Sequence, residues 1–291
     1  MSPIETPDTC RLALPKGRMQ GGVTQLLADA RIDVQVGARG YRPTLSLPGF
    51  DAKLLKPQNI VEMLHVGSRD IGFAGADWVQ ELGAELVELL DTGLDPVRIV
   101  AAAPAEVAGR LDDPKRRWVV VSEYERLTRD WIAERGLDAR FVRAFGATEA
   151  FPPDDADMIV DNTATGSTLA AHGLQIVDEV MRSSTRLYAN PRSLERPAVK
   201  ERVDQLVLLL RSVLDARTRV VLEVNVGPDN LAAVCAALPA MREPTIANLH
   251  AGRGFAVKAA VLRDELPDLM PLLKARGASD ILVTSPSQIV P

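Results

Sequence analysis

Through the first two thirds of this chain, short apolar runs are cut off by a proline, a glycine or a charge, and residues at helical spacing follow them. Arg11–Leu14 stops at Pro15-Lys16-Gly17-Arg18, and 21–30 then carries Val23, Leu26, Leu27 and Ala30 on one helical face. Ile71–Ala74 leads into a helix over Ala76–Leu82 that ends at Gly83. Arg98–Ala103 is stopped by Pro104, and Trp118–Ser122 precedes an amphipathic helix from about Glu123 to Arg135, closed by Gly136. Arg140–Arg143 reads as a strand, and Met158–Asp161 as another, with a short helix ending at Gly173. Strands alternating with helices predict a mostly parallel α/β sheet with both faces covered.

The texture changes after a long helix over 197–215, with Val203, Leu206, Val207, Leu210 and Leu214 as its apolar positions. Val220–Val226, Phe255–Leu262 and Asp280–Val283 read as strands, Asn230–Leu238 and Leu266–Arg276 as helices. That order suits a small β-α-β-β-α-β, ferredoxin-like module. The chain therefore divides near residue 215.

At 291 residues with 46% hydrophobic and 25% charged, the composition supports a large core and two domains. A formal net charge of -5 speaks against nucleic-acid coating, and apolar runs such as Leu206–Leu210 are far short of the ~20 residues a membrane span needs. Met1 to Thr9 carries Glu5 and Asp8 and lacks the basic and apolar regions of a secretory signal. Cys10 and Cys235 have no disulfide or metal spacing and read as free thiols of a reducing, cytoplasmic compartment. His65, His172 and His250 are scattered and read as structural or surface residues. No arrangement for covalent catalysis is visible.

The stretch richest in chemistry is Asp157 to Leu169. An apolar strand ends in Asp161, and Asn162-Thr163-Ala164-Thr165-Gly166-Ser167-Thr168 then opens a helix. Hydroxyls, helix N–H groups and a glycine suit a phosphate, with Asp161 accepting from ribose hydroxyls. A plain helix N-cap is the competing reading. Neither GxxxxGK[ST] nor GxGxxG is present. Lys16 and Arg18 beyond the first strand suit a pyrophosphate or triphosphate, or form a solvated basic turn. Gly72 and Gly75 flank a buried strand as a nucleotide wall, or as tight packing. Glu149, in Gly146-Ala147-Thr148-Glu149-Ala150, suits ribose hydroxyls or Mg²⁺, or is simply exposed.

Together these stretches resemble the ATP phosphoribosyltransferase family along nearly the whole chain. Ala13–Arg18 matches the family's ALPKGR-like turn, Asp70–Asp77 its D-x-G-x-x-G-x-D-like segment, and Asp161–Leu169 its phosphoribosyl pyrophosphate loop, with Gly146, Glu149 and Pro152 upstream and Gly173-Leu174 downstream. Arg182–Pro191 looks like the family's return segment, and Glu243–Ile246 with Gly277–Val283 like the regulatory domain of the long form.

The resemblance implies two α/β lobes around a cleft like that of periplasmic binding proteins: lobe 1 about 1–97 plus 187–215, lobe 2 about 98–186. An ACT-like regulatory domain over 216–291 would follow. It implies that ATP and phosphoribosyl pyrophosphate are joined with loss of pyrophosphate, with Mg²⁺, feedback inhibition by histidine and dimers or hexamers; a catalytically inactive, regulatory or small-molecule-binding paralogue is the alternative. Lys16, Arg18, Glu149 and Asp161 are then the catalytic set. Asp161 with Thr163, Ala164, Thr165, Gly166, Ser167 and Thr168 binds the phosphoribosyl donor; Lys56, Gly72, Gly75 and Asp77 bind ATP. Asn225, Met241, Thr245 and Ala260 are the candidates for regulatory histidine. Metal ligands are not assigned. Two departures stand out: Lys56-Pro57-Gln58-Asn59-Ile60 replaces the family's usual Arg-x-x-Asp-Ile, and Asn225 stands where relatives can place an acid.

Overall fold

A computed structural model describes residues 8–37, 40–111, 113 and 116–291, so the N-terminal residues 1–7 discussed above lie outside the described residues. The chain forms two compact units, one of residues up to 25 with 32–204, the other of 26–31 with 205–291.

The first unit runs β1 (Cys10–Pro15), α1 (Arg18–Asp29, its last turn counted with the second unit), β2 (Val34–Gln35), β3 (Thr44–Leu45), β4 (Phe50–Leu55) and α2 (Pro57–His65). It continues β5 (Ile71–Gly75), α3 (Ala76–Glu81), β6 (Val87–Pro104), α4 (Ala105–Ala108), β7 (Trp118–Ser122) and α5 (Glu125–Glu134). Then come β8 (Ala139–Arg143), β9 (Met158–Thr163), α6 (Ser167–Ala171), β10 (Leu174–Ala189) and the start of α7 (Pro197–Thr218).

Its eight-stranded sheet has the order β4-β1-β5-β10-β6-β9-β7-β8. β4, β1 and β5 are parallel, as are β9, β7 and β8. The two long central strands break the parallel pattern: β10 runs antiparallel to β5 and to β6, and β6 antiparallel to β9. The sheet is therefore mixed, with four parallel and three antiparallel pairings, where the sequence led to a mostly parallel one.

Residues 99–103 of β6 show why its sequence lacks alternation. Ile99, Ala101 and Ala103 pack on one face with Trp118, Val120 and Trp131. Val100 and Ala102 pack on the other with Val121, Ile159 and Leu169. A strand buried on both faces must be apolar at every position. α5 begins without a Ser, Thr, Asp or Asn cap. The buried Glu81 carboxylate instead accepts from the N–H groups of Arg126 (3.1 Å) and Leu127 (3.0 Å), satisfying two of the open donors at the helix start. The helix therefore starts at Glu125, two residues later than the periodicity suggests. Glu123 and Tyr124 are left on the turn beyond β7.

The second unit carries β11 (Arg219–Val226), α8 (Leu231–Ala237), β12 (Thr245–Asn248), β13 (Phe255–Leu262), α9 (Leu266–Ala275) and β14 (Ala278–Thr284). Its sheet has the antiparallel order β12-β13-β11-β14, the ferredoxin-like order expected of the module. Here alternation is strict. Val220, Leu222, Val224 and Val226 are buried against Val234, Leu269 and Leu273, while the residues between them face outward. Cys10 is fully buried and burial pushes its thiol up to about 12, so it is an inert core residue.

Candidate active site

A cavity of about 330 Å³ opens in the first unit where β1, β5 and β7 reach their carboxyl ends. Lys16 and Arg18 come from the turn after β1, Gly75 and Asp77 from the β5–α3 junction, and Glu123 and Tyr124 from the turn after β7. Asn162 of β9, Asp95 of β6 and Ser183 to Thr185 of β10 also face it, as do Pro57 and Gln58 at the start of α2. The carboxyl edge of parallel strands is where α/β folds bind ligands, because side chains from several strands converge there.

At the base lies Asp77, 5% exposed. Its carboxylate accepts from Tyr124 Oη (2.8 Å) and Ser183 Oγ (2.6 Å), and Asn162 Nδ2 donates to Tyr124 Oη (3.3 Å). Burial, the Asp77 charge and the hydrogen bond to Asp77 together raise the Tyr124 phenol far above its usual range, against the opposing bond from Asn162, so it stays a donor. Gly75 permits the arrangement: a Cβ there would stand 2.1 Å from Asp77 Oδ1. The Trp78 and Tyr124 rings, centroids 4.8 Å apart, add an aromatic surface. Gly72 does something different. It lies outside the lining, and a Cβ there would meet Ile60 Cγ2 at 2.7 Å and Ala13 Cβ at 3.0 Å, so its role is close packing of β5 on β1 and α2.

Asp161 stands on β9 one residue before Asn162, half-buried. Its carboxylate accepts from the Thr148 hydroxyl and from the Asn162 N–H at 2.6 Å. Burial pushes this carboxyl up and the Glu149 charge adds to that, while the hydrogen bonds oppose them; the net direction is upward. Thr163 Oγ1 accepts from Gly166 N–H (2.9 Å), and Thr165 Oγ1 from Ser167 N–H (3.3 Å) while donating to Ser167 Oγ (3.0 Å). Gly166 closes the turn with φ +82, a conformation that suits glycine. Thr165, Ser167 and Thr168 face solvent, as does Ala164. α6 has five residues and contributes little dipole, so attraction for an anion rests on the hydroxyls and turn N–H groups.

Sequence reasoning passed over Glu123, Tyr124, Asn162 and Ser183 as site residues. Their position beyond or within strands at the carboxyl edge was the available signal for the first two. Burial raises the Glu123 carboxyl, the Asp161 charge raises it further and the Lys56 charge opposes, so Glu123 stands in the field of both. Lys56 precedes α2 with an extended backbone, and Pro57 starts the helix. Asn59 Nδ2 donates along that helix to Glu62 Oε2 at 3.3 Å.

Two family models match this chain: ATP phosphoribosyltransferase over residues 56–212, and the C-terminal domain of HisG over 216–286. Curated ATP phosphoribosyltransferases of Pelotomaculum thermopropionicum and Chlorobium phaeovibrioides are 34% and 33% identical to it. The first alignment covers 97% of this chain and 99% of the relative, the second 93% and 94%. The chain belongs to the ATP phosphoribosyltransferase family. A solved ATP phosphoribosyl transferase (HisG:HisZ) complex from Thermotoga maritima contains a chain similar in fold, with a TM-score of 0.63 and 25% identity over 71% of this chain and 99% of that one.

The second unit of this family member holds the residues considered for histidine. Asn225 Nδ2 donates to Asp280 Oδ2 at 3.0 Å. Met241 N–H donates to Ala260 O at 3.0 Å, and Thr245 pairs with Lys258, two residues along β13. Asn225 pairs with Ala256, four residues from Ala260, or ~13 Å along the strand. Within one chain, Met241, Thr245 and Ala260 lie together and Asn225 lies apart. His65, His172 and His250 are exposed. Among the described residues no three His, Cys, Asp or Glu side chains are grouped to hold a metal, and no helix is long and apolar enough to cross a membrane.

Proposed function

We propose that this chain is a long-form ATP phosphoribosyltransferase, joining ATP to 5-phosphoribosyl 1-pyrophosphate to give 1-(5-phosphoribosyl)-ATP and pyrophosphate in the cytosol, as the first step of histidine biosynthesis. The observation that carries this reading is the near full-length match to curated transferases, set on a chain whose Asp161 turn is open to solvent. Relatives named for the transferase favour an active enzyme over the inactive paralogue.

In the reaction a ring nitrogen of adenine attacks the anomeric carbon, and the bond to pyrophosphate breaks. Positive charge develops on the ribose ring and negative charge on the leaving group, and no protein nucleophile is needed. The protein's contribution is orientation and electrostatic stabilisation. The turn from Thr163 through Ala164, Thr165 and Gly166 to Ser167 and Thr168 holds the ribose phosphate. Asp161 and Glu149 orient the ribose hydroxyls. Lys16 and Arg18 meet the departing pyrophosphate. Asp77 and Gly75 form the ATP side, with Lys56 near it; Gly72 supports that wall from behind.

Among the described residues no donor set fits a resident metal cage, and no step here runs through one. Mg²⁺ enters instead as the counter-ion of the pyrophosphate substrate, the way this ion is commonly held. Histidine as an inhibitor acting on the second unit (216–291), the two-lobed division of residues 1–215, and dimers or hexamers of this chain belong to the same proposal.

The test is to mix the purified protein with ATP, phosphoribosyl pyrophosphate and Mg²⁺ and follow the phosphoribosylated adenine chromophore, with and without histidine. The proposal expects product with stoichiometric pyrophosphate, less of both when histidine is present. No product, from the protein alone or with any co-purifying partner, refutes it.

A further inference from the structure

Lys16 is held from the side as well as lining the cavity. Its Nζ lies 3.5 Å from the centroid of the Tyr41 ring. That tyrosine is 62% exposed, so core burial does not explain the ring's placement. What the ring offers is the negative face of its π system, which attracts a cation.

Both partners are fixed by adjacent residues of β4: Leu54 N–H donates to Tyr41 O at 3.0 Å, and Lys16 N–H donates to Leu55 O at 2.8 Å. Beside them, Arg42 lies 3.7 Å from the Asp51 carboxylate, which Arg69 also holds at 2.8 Å. The ring and the ammonium thus meet from two anchored backbones.

We infer that Tyr41 is a positioning residue for Lys16: its ring holds the ammonium ready for the diphosphate group of the phosphoribosyl donor. The inference rests on the proposed function, in which Lys16 meets that group. A lysine side chain carries much rotamer entropy, and holding it before the anion arrives reduces what binding must freeze. An aspartate in place of Tyr41 would also hold the cation, but it would neutralise it and repel pyrophosphate. An aromatic face holds the ammonium and leaves its charge available.

The experiment is calorimetric titration of the full-length protein with inorganic pyrophosphate and Mg²⁺, paired with steady-state kinetics. Tyr41→Leu and Tyr41→Gln are expected to weaken pyrophosphate about two- to fivefold and to raise KM for the donor by a similar factor, with a smaller change in kcat. Tyr41→Phe, which keeps the ring, restores the affinity. In a Lys16→Met background, Tyr41→Leu adds nothing further. Wild-type affinity in both Tyr41→Leu and Tyr41→Gln overturns the inference, as does a Tyr41→Leu loss that persists in full without Lys16. If Lys16→Met itself binds pyrophosphate like the wild type, the assignment of Lys16 in the proposed function fails and the inference falls with it.

Discussion

Asp70 and Asp161 belong to two of the motif stretches around the same eight-stranded sheet, and their surroundings are opposite. Asp70 is fully buried and bound by two guanidiniums: it accepts from Arg11 N–H (2.7 Å), Nε (3.1 Å) and Nη2 (2.9 Å), from Ser193 Oγ (2.7 Å), and from Arg196. Burial works to raise its carboxyl, but the bonds from Arg11 and Ser193 outweigh burial and the net direction is downward. Asp161 has neutral donors and the Glu149 carboxylate for company, and its direction is upward. A buried acid saturated by arginines is committed to the fold. An acid held by hydroxyl and amide donors beside another acid keeps capacity for a ligand, which is what the role proposed for Asp161 requires.

The largest effect expected from this contrast is on stability. Asp70→Ala removes the centre of a buried charge cluster and should lower unfolding free energy by about 3–5 kcal/mol, read from the urea midpoint. Turnover measured where the variant is still folded should change little. Asp161→Ala should do the reverse, lowering turnover by roughly a hundredfold or more, the ~3 kcal/mol scale of one preorganised polar contact, with an unfolding midpoint near that of the wild type. Exchanged outcomes would break the comparison.

Acid separates the two groups more finely. Asp161 sits above the ordinary 3.8, so it takes up a proton first as pH falls, and kcat/KM should decline with an apparent pKa above that value. Asp70 sits below 3.8; its stabilisation is complete above 3.8 and is lost as pH falls through its lower native value. Activity should therefore fade in a pH range where Asp70 still stabilises the fold, checked by kcat/KM and urea midpoints over the same pH series. Coincident loss of both would contradict the assignment.

Asp77 lies between these extremes, buried like Asp70 but partnered by hydroxyls like Asp161. Tyr124→Phe removes one of those hydroxyls and should raise KM for ATP about fivefold, the ~1 kcal/mol of one hydrogen bond. An unchanged KM for ATP would assign the Asp77 network to the fold alone.

The β9–turn–α6 segment was legible because its signals are local: Met158 to Val160, an acid, small hydroxyls and a glycine follow one another within a dozen residues. Three strands and both helices of the second unit were legible for a similar reason, since β-rich runs such as Val220–Val226 alternate with helical spacing; β12, four exposed residues from Thr245 to Asn248, carries no burial pattern and was not. β10 was not. Its register shifts between Ile176 and Asp178, Glu179 and Met181, and again from Ser183 to Tyr188, and these erase the period-two pattern. β6 was seen only as Arg98–Ala103, while the strand runs over 18 residues and is interrupted by positive φ at Gly93 and Asp95 and by Pro96, which break any regular pattern upstream.

The Asp77 network joins residues 47 and 106 positions apart, so no local pattern encodes it. The departure at Lys56 is answered in part by position, since its charge still acts on Glu123. Nothing in the structure explains why asparagine replaces the family's usual acid at position 59.

The most direct test of the central claim is amide hydrogen exchange of the peptide spanning 161–171, with and without phosphoribosyl pyrophosphate and Mg²⁺. The account predicts slower exchange in that peptide when the donor is present, and no such change in the Asp161→Ala protein at the same concentration. Unchanged exchange across 161–171 at donor concentrations that support turnover would show that this turn does not hold the sugar phosphate.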